Sequence, residues 1–148
     1  MLHYEDLQVG NRFNTGDHTV TTDEIVAFAR RHDPQPFHTD PEAAKSTFFG
    51  GLVASGWHTA AVSMGLMVRG GMPLGSGVIG QAVEGLRWPR PVKPGDTLRV
   101  VMEVVGLEPH PTRPGFGNLR LLCRTLNQDA KTVQEMTALL LIARRPSL

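Results

Sequence analysis

The sequence predicts an α+β fold, an antiparallel β-sheet wrapped around one long central helix, and three observations carry that prediction. Helical signals dominate up to about Gly70, and strand signals dominate after Gly77. Residues 55–71, SGWHTAAVSMGLMVRGG, are apolar around most of the helical circumference, which suits a buried helix better than a surface one. Beyond them, several segments alternate with a period of two between clusters of turn-forming residues. The chain has 148 residues, no internal repeat and no long linker, so residues 1–148 read as a single domain.

The elements follow in order. Residues 18–32, HTVTTDEIVAFARRH, open with a short β-branched run and then start a helix. Thr21 with Glu24, or Thr22 alone, can cap its N–H groups, and Asp23 and Glu24 suit its positive end. Ile25, Phe28, Ala29 and His32 recur at helical spacing. This helix must stop by Asp33, because the residue before a proline is driven out of the helical region. Asp40-Pro41 then reads as a cap and first turn of a short helix through Ala44, leaving a proline-rich loop between.

In the main helix Ser55 is the expected cap and Gly70-Gly71 the stop. Trp57, Ala60, Ala61, Met64, Met67 and Val68 form one stripe, while Val62 and Leu66 face elsewhere. Strands are expected at about 78–88, in TLRVVMEVV, in NLRLLCRTL and in VQEMTALLLIARR, with KPGD and NQDAK as turns. Several are apolar on both faces. One face meets the helix, and a second subunit is the economical cover for the other, so a homodimer or larger assembly is expected.

Composition excludes several classes. A net charge of +1 with scattered basic residues argues against a nucleic-acid partner. The longest apolar run, 51–68, contains Ser55, His58 and Ser63, which argues against a membrane span. The one cysteine, Cys123, reads as a small buried hydrophobe, and with no signal-peptide pattern in MLHYEDLQVGNRF the expected location is cytoplasmic.

Chemistry concentrates in DPQPFHTDP. A carboxylate, Asp33, and an imidazole, His38, can share the deprotonation of one water, and Pro34 and Pro36 would fix their spacing in advance. The alternative is a loop in which Asp33 merely ends a helix and His38 bonds to backbone. Gly56 supplies an unpaired N–H at a helix start, a place suited to a thioester oxygen gaining charge; its alternative is a glycine needed only for tight helix entry. His38, Asp40 and His58 lack a metal-ligand pattern, GGMPLGSG lacks the strand–helix context of a phosphate loop, and no serine has nucleophile-elbow surroundings.

In their order and spacing, DPQPFHTDPEAA, FFGGLVASGWHTAAV and RWPRPVKPGDTL resemble the MaoC-like dehydratases, a family that includes the R-specific enoyl-CoA hydratases. The resemblance spans about residues 5–145 and implies a hotdog fold, usually dimeric. It implies Asp33 and His38 as the catalytic acid–base pair, Gly56 as the oxyanion donor, and Gln35, Ser55 and Trp57 among the substrate contacts. Gln35 stands where the better-known hydratases have asparagine. The implied reaction is reversible addition of water across a trans-2-enoyl thioester, giving the R-3-hydroxyacyl thioester. It needs no metal and no cofactor apart from the coenzyme A thioester itself as small-molecule substrate. A hotdog thioesterase and a non-catalytic acyl-thioester binding module are the other readings, and the presence of both Asp33 and His38 favours the hydratase.

Overall fold

The computed structural model of the chain describes residues 1–147. Two short strands, β1 (Arg12–Asn14) and β2 (His18–Thr19), precede helices α1 (Thr22–His32), α2 (Pro36–Thr39), α3 (Pro41–Ala44) and α4 (Gly56–Leu66). A π-helical turn over Met67–Gly71 ends α4, and four long strands follow: β3 (Ile79–Arg87), β4 (Thr97–Pro109), β5 (Phe116–Leu126) and β6 (Thr132–Ala143). The sheet is antiparallel, ordered β1-β4-β5-β6-β3, with β2 also pairing on β4.

Local chemistry explains the helix ends. Thr21 Oγ1 accepts the Glu24 N–H at 3.2 Å while the Glu24 carboxylate accepts the Thr21 N–H at 2.6 Å, closing a capping box. The helix stops at Asp33, ahead of Pro34. Asp40 Oδ1 accepts the N–H groups of Glu42 and Ala43, with Pro41 in the first helical position of α3. The expected loop between these helices is partly wrong. Pro36 starts the single turn α2, which buries His38.

α4 packs between the sheet and the α1 side. Its far end, Leu66 with Met67, meets Val100, Met102, Leu121 and Leu140 of the sheet. A second cluster joins Ile25 of α1 to Val20, Ala44, Leu52, Val92 and Leu98, and Val62 packs against both. Each fully buried aliphatic side chain stabilises this arrangement by roughly 1.5–3 kcal/mol. Cys123 lies in the core, and burial pushes its thiol up to about 12.

The orientation of α4 corrects the sequence reading. Its buried face carries His58, Thr59, Ser63 and Leu66, whereas Trp57 and Val68 are each 59% exposed and Met64 is exposed too. Ser63 tolerates burial because it is paired: its Oγ lies 2.6 Å from Thr125 Oγ1 and donates to the Thr59 carbonyl at 2.7 Å. Most of the apolar stripe, Trp57, Ala61, Met64 and Val68, is therefore exposed while Met67 is buried in the core, and β3 is exposed at every residue but Leu86. No described helix is long and apolar enough to cross a membrane.

Candidate active site

Three chain segments meet at the head of α4. Residues 52–55 form a buried strap, held by Val53 N–H on the Phe37 carbonyl at 3.0 Å and by Ala54 N–H on the Val92 carbonyl at 2.8 Å. α2 brings His38 against this strap. The imidazole is 6% exposed, and its Nδ1 lies 2.7 Å from the Val53 carbonyl oxygen. A carbonyl can only accept, so Nδ1 carries the proton and donates it. Nε2 is thereby left to exchange protons, and it faces Asp33 Oδ2 at 3.3 Å.

Asp33 is held from three sides. Gln35 Nε2 donates to Oδ1 at 2.6 Å, Ser55 Oγ donates to Oδ2 at 2.7 Å, and His38 stands against the same Oδ2. Burial alone would raise the carboxyl pKa, but the hydrogen bonds from Gln35 and Ser55, with the charge of His38, hold it below the ordinary carboxylate value. Ser55 thus differs from its expected role. It occupies the cap position of α4 but makes no capping hydrogen bond, because its hydroxyl is spent on Asp33. Gln35 also turns inward, to the acid.

Beside His38 lies a cavity of about 200 Å³, lined also by Gly56, Thr59, Phe49, Trp88 and Arg90. Asp33 does not line it and reaches it through His38. The Gly56 N–H has no acceptor among the described residues, as the first residue of a helix should not. Glycine is required here by contact. A Cβ at this position would lie 2.5–2.8 Å from the Trp88 indole, and that ring is fixed by its own N–H on Gln134 Oε1 at 2.9 Å. Gln134 is 1% exposed, a buried amide whose one recorded side-chain bond holds Trp88. Trp57 points elsewhere: it meets Trp88 edge-on at 5.3 Å from the outer face of α4 and does not line the cavity.

Sequence reasoning did not single out Trp88, Gln134 or Thr59. Trp88 had a usable signal, since a large aromatic next to two prolines in RWPRP follows a strand end. Gln134 had only the oddity of an amide in a strand that is otherwise buried on the same side.

A second carboxylate–histidine cluster lies farther down α1. The Glu24 carboxylate contacts His18 Nε2 at 2.9 Å and His58 Nε2 at 3.5 Å, and the His58 ring stacks on Phe28. Burial lowers the His58 pKa, only partly opposed by Glu24. His58 Nδ1 is buried without a partner. Among the described residues, no group of three or more histidine, cysteine, aspartate or glutamate side chains converges in a way that would hold a metal ion, and Asp40 is spent as a helix cap.

Residues 6–115 match the family described as "MaoC like domain". The chain belongs to the MaoC-like dehydratase family. It is 34% identical over 143 residues to YdeM of Bacillus subtilis, an uncharacterised protein, covering 97% of this chain and all of that one. It superposes on the MaoC-like dehydratase from Rhodospirillum rubrum with a TM-score of 0.95 at 48% identity, covering 99% of this chain and 100% of the other. It superposes also on the R-hydratase PhaJ1 of Pseudomonas aeruginosa, with a TM-score of 0.76 at 29% identity over 99% and 88% of the two chains. The architecture is the hotdog fold anticipated above.

Proposed function

We propose that this MaoC-like protein is a hydratase/dehydratase of enoyl-CoA thioesters, with the R-3-hydroxyacyl thioester as product. The observation that carries the reading is the His38 geometry: Nδ1–H is fixed on the Val53 carbonyl, and Nε2 sits between Asp33 and a cavity that the Gly56 N–H also borders. In the hydration direction, His38 Nε2 takes a proton from water as its oxygen bonds to C3 of the enoyl chain. The electron pair moves through C2 to the thioester oxygen, which the Gly56 N–H stabilises. The imidazolium, balanced by ionised Asp33, then returns its proton to C2, and the enolate collapses to the thioester. Ser55 and Gln35 keep Asp33 ionised and oriented.

The reading is tested by following crotonyl-CoA at neutral pH for two signals at once, loss of enoyl absorbance and appearance of free thiol. Hydration removes the first without producing the second. Thiol release would support the thioesterase alternative, and neither signal would support a binding module.

The assembly proposed with it is a homodimer, because Trp57, Met64 and Val68 of the α4 side and Ile79 and Val83 of β3 leave large apolar side chains exposed. Light scattering at micromolar concentration is expected to give twice the chain mass or more; a monomer would contradict it.

A further inference from the structure

We infer that Arg90 and Lys93 form a cationic track leading out of the active-site cavity, built to hold the phosphates of the carrier on which the acyl group arrives. The inference rests on the proposed reaction site and adds what the rest of the substrate must carry. Among the described residues, Arg90 is the one lysine, arginine, aspartate or glutamate lining the cavity that holds His38 and Gly56. An adjoining hollow of about 350 Å³ shares Phe49 and Val53 with it, and its one charged residue is Lys93. Among the described residues no carboxylate lines either space.

Most of the other sheet arginines are neutralised, Arg99 of β4 being the exception among the described residues. Arg87, only three residues before Arg90, pairs with Glu135; Arg120 pairs with Glu84, and Arg124 with Glu135. Neither the Arg90 guanidinium nor the Lys93 ammonium pairs with a carboxylate among the described residues, although the Lys93 backbone N–H donates to Asp96 Oδ2 at 2.9 Å. Arg90 is nonetheless fixed: its Nη1 donates to the Thr132 carbonyl at 3.2 Å, leaving the other donors of the guanidinium uncommitted. A planar fork anchored at one corner suits the oxygens of a phosphate, and little rotamer freedom is lost when it binds. Pro91 between the two cations and Pro94 after them stiffen the segment that carries both.

The chemistry is that of a phosphorylated pantetheine arm, and two sources can present it: the 4′-phosphate, at the end of the arm opposite the thiol, or the nucleotide phosphates of coenzyme A. The test uses saturated ligands, so that binding is read without turnover. Calorimetry compares butyryl-CoA, butyryl-4′-phosphopantetheine and butyryl-pantetheine on the wild type, Arg90→Gln and Lys93→Gln, with melting curves to show that the variants are folded. Arg90→Gln is expected to weaken butyryl-CoA by roughly tenfold, the worth of a charge-assisted hydrogen bond. Lys93→Gln, at a more exposed site, is expected to weaken it less. Added salt should weaken the wild type more than either variant, and butyryl-pantetheine should be bound equally by all three proteins. A matching loss on the phosphopantetheine thioester assigns Arg90 to the shared 4′-phosphate. A loss confined to butyryl-CoA assigns it to the nucleotide phosphates. Unchanged butyryl-CoA affinity in Arg90→Gln, or an equal loss on butyryl-pantetheine, would overturn the inference. Failure of the hydration assay would leave these binding results standing, so the two ideas fail separately.

Discussion

The two ends of α1 carry the same chemistry to different effect. At its start, Glu24 meets His18 and His58; at its end, Asp33 meets His38. Both carboxylates are held below their ordinary pKa against the pull of burial, and both histidines on α2 and α4 are 6% exposed. The difference lies in what each cluster faces. The Glu24 carboxylate is committed to the capping box of α1, and neither Glu24 nor His58 lines the cavity. Asp33 caps nothing with its side chain, and its histidine opens onto space beside an unpaired N–H. A carboxylate–histidine contact alone therefore does not single out one cluster; what separates the two is that only His38 opens onto a cavity that Gly56 also borders.

The comparison breaks first, and by the largest margin, if the wrong histidine matters. Asp33→Asn and His38→Ala should each lose about 10²-fold or more in turnover of crotonyl-CoA with the melting temperature little changed. The double variant should be little worse than either single one, because the two act as a unit. His58→Leu should keep most of its turnover once folded. Near-normal rates in His38→Ala would assign the chemistry elsewhere.

Gly56→Ala comes next. The added methyl meets a Trp88 ring that Gln134 prevents from yielding, so a loss of ~1–3 kcal/mol in stability by denaturant unfolding is expected, with a fall in kcat as the N–H is displaced. Adding Trp88→Phe, which frees the ring from Gln134, should recover stability first.

Gln35→Ala should have a smaller effect, at most about tenfold in turnover, since one hydrogen bond to a charged group is removed. The sharper sign is in the pH profile. Gln35 lowers the Asp33 pKa, so its loss should move the acid limb of activity to higher pH. An unmoved limb would show that the amide is a spacer.

The smallest effect concerns the other cluster and appears only as stability. The folded pKa of His58 lies below its ordinary value of 6.5, so the folded state resists protonation there. Stability is fully present above 6.5 and declines as pH falls through the folded pKa. The Glu24 and Glu5 carboxylates act in the same direction at lower pH, each depressed below 4.5, Glu5 to about 2 through the Arg145 N–H and Arg144. Melting temperature should therefore fall from about pH 6.5 downward, and His58→Leu should flatten the upper part of that decline.

Much of the fold was legible because it is written in short-range chemistry. The Thr21–Glu24 capping box, the stop at Asp33 before Pro34, the Asp40-Pro41 start and the alternating strands all depend on residues within a few positions of one another. The facing of α4 was not legible, since periodicity marks an apolar stripe without saying which neighbour covers it. Ser63 went inward because Thr125, 62 residues beyond it, supplies a hydrogen bond. The same limit hid half of the site. Asp33 and His38 are neighbours in sequence and could be paired by eye, whereas Ser55 reaches Asp33 across 22 residues and Gln134 reaches Trp88 across 46. Gln35 was legible as a position but not as a contact, because its side chain had the freedom to turn either way.

The central claim is that one histidine, backed by one carboxylate, both removes a proton from water and delivers one to C2. That restricts the stereochemistry. Hydroxyl and hydrogen must arrive on the same face of the double bond, because both come from the position of His38 Nε2. The direct measurement is hydration of crotonyl-CoA in deuterium oxide, with the configuration at C2 and C3 of the product read by NMR. The account predicts R-3-hydroxybutyryl-CoA carrying deuterium at C2 on the face that received the hydroxyl. Addition from opposite faces would require a second proton donor across the cavity and would contradict it.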